Sequence, residues 1–185
     1  PPISEGEKGD LREKIFYHVT DKEFDVFDTK QENRFGSHFS SDKVSPEVIA
    51  KSTGKDIEKA KTIEAKLDVK NPLRLPDLTY WKEKDIVNEL NKKGIDVPSK
   101  QYLGNEYWTY DDIIKSIKDA GYDSVIYKNK IEGGGDSIIV FEPSQIKTTP
   151  TTSQSSEATR VPQKETQKVI KEVTKAPEEQ LATPE

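Results

Sequence analysis

The chain has 185 residues, 31% hydrophobic and 34% charged, with a formal net charge of -5. It has no Cys, which removes disulfide scaffolds, thiol nucleophiles and thiolate zinc sites, and its 2 His argue against a multi-histidine metal centre. Its Lys residues are scattered among Asp and Glu without a basic block, which argues against nucleic acid as a partner, and no apolar run approaches the ~20 residues that cross a bilayer.

Residues 1–12 are polar and read as a leader. The start, Pro1-Pro2-Ile3-Ser4, has no signal-peptide character and fits a processed chain or a piece of a longer one. Lys14 to Thr20 has the β-branched and aromatic content of a strand. A charged connection carrying Phe24 and Phe27 follows, and Gly36-Ser37-His38-Phe39-Ser40-Ser41 reads as a turn entering a short strand. Ser45-Pro46-Glu47 opens a helix, Ser capping free amides and Pro tolerating the first turn; Gly54 closes it. Thr62 to Val69 alternates apolar and polar residues at the period of a half-buried strand. Asn71-Pro72 and Leu75-Pro76-Asp77 are turn punctuation. Tyr80, Trp81, Lys84, Ile86, Val87 and Leu90 fall at helical spacing before Gly94, and residues 95–108 read as a loop.

Asp111 to Ala120 forms an amphipathic helix with acidic residues in its first turn, where the helix dipole favours them. Tyr122 to Tyr127 is a strand. Gly133-Gly134-Gly135 is a flexible turn, and Ser137 to Phe141 is a buried strand stopped by Pro143. Every Phe, Tyr and Trp lies before residue 148. Residues 148–185 are rich in Thr, Ser, Pro, Glu and Lys, so they cannot bury enough surface to offset their ordering entropy and read as a disordered tail or linker. Val169, Ile170 and Val173 in that tail suit a transient helical turn or a docking motif for another protein. The expected division is a leader (1–12), one α+β domain (13–147) and the tail (148–185).

Walker A, G-x-S-x-G and H-E-x-x-H patterns are absent, and Gly133-Gly134-Gly135-Asp136 lacks the strand-to-helix order of a dinucleotide fingerprint. More telling are Tyr17-His18-Val19-Thr20, Gly36-Ser37-His38-Phe39-Ser40, Asn71-Pro72-Leu73, Gly121 to Asn129, and Gly135-Asp136-Ser137-Ile138-Ile139-Val140-Phe141-Glu142-Pro143-Ser144-Gln145-Ile146-Lys147. In order and spacing these resemble the strands of ADP-ribosyltransferase-like domains found in phage polyvalent and portal-associated proteins.

The resemblance implies a split mixed β-sheet core with flanking helices. It also implies an NAD-dependent mono-ADP-ribosyltransferase, a toxin-like glycosyltransferase that moves ADP-ribose from NAD to a protein and releases nicotinamide. NAD is then a substrate and a protein the acceptor. No metal and no membrane are implied. The implied location is cytoplasmic, with carriage on a phage particle and delivery into a host cell as the setting. Expelling nicotinamide leaves an oxocarbenium-like ribose. Family members meet it with a His that donates to the ribose, an aromatic that stacks on nicotinamide, and a carboxylate that favours positive charge at the anomeric carbon.

Carried over, His18 is the ribose contact, beside Tyr17 and Thr20, and Val19 stands where the family often has Gly. His38 takes the place of the stacking Tyr, with Gly36, Phe39 and Ser40 around it. The third position has two registers, Asp136 or Ser137, with Glu132 as a substitute carboxylate on the preceding turn. Asn129 either fixes that turn or touches substrate. These departures keep open a non-catalytic NAD-binding or protein-interaction module on the same fold. Two His and several carboxylates also permit acid–base catalysis in a nuclease-like toxin, against which the acidic charge counts.

Overall fold

A computed structural model describes residues 3–22, 27, 34–130 and 133–148. Glu132, Phe24 and the expected tail, Thr148 apart, lie outside the described residues. The elements in chain order are α1 (Glu5–Glu13), β1 (Ile15–Thr20), β2 (Ser37–Ser40), α2 (Pro46–Thr53), β3 (Lys61–Leu67), β4 (Pro72–Arg74) and α3 (Glu83–Lys92). Then come β5 (Lys100–Tyr102), β6 (Asn105–Tyr107), α4 (Tyr110–Asp119), β7 (Ser124–Lys128), β8 (Asp136–Val140), a 3-10 turn (Pro143–Gln145) and β9 (Ile146–Thr148). The class is α+β, as expected.

Seven strands form one mixed sheet in the order β4-β7-β8-β2-β1-β3-β9. β4 and β7 run parallel, and the other neighbours are antiparallel. Strand residues alternate between the two faces, and both faces are covered. On one, Val125, Tyr127, Ile139 and Phe141 pack against α3 and α4 through Ile86, Leu90, Ile113 and Ile117. On the other, Phe16, Phe39, Ile126, Ile138 and Val140 pack with Leu67, Ile3 and Leu11.

Helix ends follow local chemistry. Ser45 Oγ accepts from the Val48 amide with Pro46 in the first turn, and Gly54 ends α2 at φ 70°. Thr109 caps α4 by accepting from the Asp112 amide. Within the stretch read as a leader, residues 3–12 are structured: Ser4 and Glu7 form a reciprocal capping box that starts α1, and Ile3 and Leu11 enter the core. The 95–108 stretch holds the β5–β6 hairpin. Tyr80 and Trp81 precede α3 and do not join it, while Pro72 opens a short strand.

The sheet is closed where β2 meets β8, with four register pairs from Ser37↔Val140 to Ser40↔Ser137. Gly36 allows the approach: it sits at φ 70°, and a Cβ there would lie 2.5 Å from the Val140 carbonyl oxygen. Between β1 and β2 there is one register pair, Tyr17↔Ser40. Beyond it His18, Val19 and Thr20 pair with β3 alone and Ser37 to Phe39 with β8 alone. The sheet splits there.

Candidate active site

A cleft of about 860 Å³ opens along this split, bordered by Tyr17, His18, Val19 and Thr20 of β1 and by Gly36, Ser37, His38 and Ser40 of β2. The two imidazoles reach it from opposite faces. Tyr17↔Ser40 aligns His18 with Phe39, so its ring lies 5.3 Å from Phe39 and 5.4 Å from Phe27. His38 pairs with Ile139 and shares a face with Tyr127 and Trp81. Phe39 is fully buried core.

Where the β1–β2 ladder stops, a side chain spans the gap. His18 Nδ1 lies 2.7 Å from the His38 carbonyl oxygen. A carbonyl only accepts, so Nδ1 carries the proton, and in the neutral ring Nε2 is left as an acceptor. Burial holds the His18 pKa below the ordinary value, opposed by the bond to His38, with Lys55 and Arg34 adding to the depression. His18 therefore presents an acceptor at Nε2, where the resemblance implies a donor.

His38 is held more tightly. Burial, then the neighbouring His18, lowers its pKa to about 4, while a bond to the Phe35 backbone works the other way. Its Nδ1 lies 3.2 Å from the Tyr127 hydroxyl, and Trp81 meets it edge-on at 5.8 Å. That contact requires an unusual backbone. Trp81 has φ 50° and Thr79 φ 61°, both left-handed, each strained by about 1–3 kcal/mol. Asp77 fixes the loop by accepting from the Thr79 amide (3.0 Å) and the Lys130 amide (3.1 Å), and the Tyr110 hydroxyl donates to the Trp81 carbonyl (3.1 Å).

The third position divides. Asp136 pairs with Lys128 and lies on the face of Ile138 and Ile126, away from His38. Its Oδ1 is 3.3 Å from both Arg74 Nη1 and Lys128 Nζ, and it does not border the cleft. Ser137 is on the face of His38 but is buried, accepting from Asn129 Nδ2 at 3.1 Å. Asn129 fixes the turn: its amide donates to the Gly135 carbonyl and its carbonyl accepts from Gly134. Glu132 is outside the described residues.

Sequence reasoning missed other groups on the cleft. Lys22 and Arg34 from the β1–β2 connection and Lys55 from the α2–β3 connection border it, a local cationic wall in an acidic chain. Asp42 also borders it. Neither the cations nor Asp42, which lies in the bend beyond β2, has a linear signature.

Neither a curated protein nor a solved structure matches the chain. One family does, described as the ADP-ribosyltransferase in polyvalent proteins, over residues 7–156.

Proposed function

Because the chain belongs to the ADP-ribosyltransferase family of polyvalent proteins, we propose that it transfers ADP-ribose from NAD to a protein, releasing nicotinamide. The observation that carries this reading is the meeting of His18 and His38 on one cleft, across strands that part at a single register pair.

Each wall has a task in that reaction. The neutral His18 ring, its tautomer set by the His38 carbonyl, takes a hydrogen bond from a ribose hydroxyl and orients the sugar. Arg34, Lys22 and Lys55 supply cations for the diphosphate. The Trp81–Tyr127–His38 cluster, with Trp81 and Tyr127 centroids 4.7 Å apart, gives the nicotinamide an aromatic wall. A ring of lowered pKa beside a cationic leaving group stays uncharged and adds no repulsion.

Kinship with polyvalent proteins supports a phage-borne protein acting in the cytoplasm of a host cell. No helix among the described residues is long and apolar enough to cross a membrane. A second reading, an NAD-binding module without turnover, is favoured by one observation, the ion-paired Asp136 outside the cleft.

The test is nicotinamide release and transfer of label from NAD to lysate proteins. The full chain turns NAD over, and His18→Ala lowers the rate about 100-fold. A parent chain no better than His18→Ala overturns the transferase. NAD binding without release then supports the second reading.

A further inference from the structure

Three aspartates near the sheet's split differ in what their oxygens already hold. Asp77 has both committed, one to the Thr79 amide and one to the Lys130 amide. Asp136 is held by Arg74 and Lys128 on the far face. Asp42 has Oδ2 fixed by the Gly135 amide at 2.8 Å, and its Oδ1 has no partner among the described residues. Of the three, Asp42 alone is both on the cleft and half uncommitted.

The seat of Asp42 is built. A Cβ on Gly135 would lie 2.5 Å from Asp42 Oδ2 and 2.7 Å from Oδ1, and a Cβ on Gly133 would lie 2.5 Å from Oδ2. No side chain fits at either place while the carboxylate is there, so the glycine run is a cradle as well as a turn. Ser40 Oγ accepts from the Asp42 amide at 3.1 Å and fixes the bend that follows β2. The Ser41 amide donates to the Asp136 carbonyl at 2.8 Å, tying that bend to the start of β8. The Ser41 hydroxyl beside the cradle is buried and without a partner among the described residues. A carboxylate just past the end of β2 is thus held against the glycine turn that leads into β8, next to the place where the third-strand acid was expected.

Resting on the transferase reading, we propose that Asp42 is the catalytic carboxylate, supplied from β2 in place of an acid on β8. In the step, the bond between the anomeric carbon and the nicotinamide nitrogen breaks, and its electron pair stays on that nitrogen. Negative charge on Asp42 stabilises the cation developing on the ribose. The acceptor's nucleophilic atom then bonds to the anomeric carbon, and its proton passes to Asp42 Oδ1 and on to water.

Asp42→Asn keeps the cradle's shape and removes the charge. In the full chain we expect kcat for nicotinamide release to fall about 100-fold or more, with NAD affinity by calorimetry within about threefold of the parent. Gly135→Ala displaces the carboxylate by another route and loses rate comparably, with thermal melting reporting whether each variant folds. Formate partly restores Asp42→Ala, which a structural role would not allow. Asp42→Asn turning over like the parent, or Asp136→Asn carrying the whole loss, overturns the assignment and leaves the transferase standing. A parent chain that never releases nicotinamide removes both.

Discussion

The two neighbours of β2 make opposite contacts with it. Toward β8 it is zipped over four register pairs, its Phe39 fully buried. Toward β1 it makes one pair, and the next link is an imidazole donating to a carbonyl. A complete ladder satisfies backbone amides and packs side chains as core. An interrupted ladder leaves room between strands that polar side chains must fill, and there the His pair, the cations and Asp42 collect. Packing and the candidate site are thus divided between the two sides of one four-residue strand.

That division can be broken from the closed side first. Phe39→Ala empties a fully buried position and should cost about 3–5 kcal/mol in urea denaturation, whereas truncating His18 should be felt mainly in turnover. Equal stability losses at the two positions would erase the contrast.

Acid sharpens it next. The His38 pKa falls from 6.5 to about 4 on folding, so between those values the unfolded chain binds more protons than the folded one. Stability is therefore full above pH 6.5, declines as pH falls toward 4, and levels off below. The loss from this group is on the order of 3–3.5 kcal/mol. His38→Gln should remove most of that slope in denaturation measured across the window.

The smallest expected effect is on the strained wall. Thr79 is exposed with φ 61°, so Thr79→Gly relieves a left-handed β-branched residue. After the added freedom of the unfolded chain, a net gain of about 0.5–1 kcal/mol remains, readable in thermal melting.

Much of this was legible in the chain. Ser45-Pro46 and Gly54 bracket α2, the acidic first turn and Ile113/Ile117 mark α4, and Ser137 to Phe141 reads as a buried strand, with β8 ending one residue earlier at Val140. His18 and His38 stood out through the strands that carry them. What escaped was set by pairing and by distant contacts. The two faces of β8 become distinguishable once Ser40↔Ser137 is known, and that pairing sends Asp136 away and keeps Ser137. Trp81 leaves its helical spacing because Tyr110, Tyr127 and His38 hold it elsewhere. α1 was hidden by Gly6, Gly9 and a single buried Leu11, although Ser4 and Glu7 announced its first turn.

The placing of Trp81 reaches past packing. The chain has 2 Trp, and Trp108 is anchored to the Val97 carbonyl at 3.2 Å. The indole of Trp81 stands on the cleft wall with a phenol and an imidazole at its edges. A molecule entering beside it would change its ultraviolet emission, an intrinsic optical gauge of occupancy that needs no attached dye.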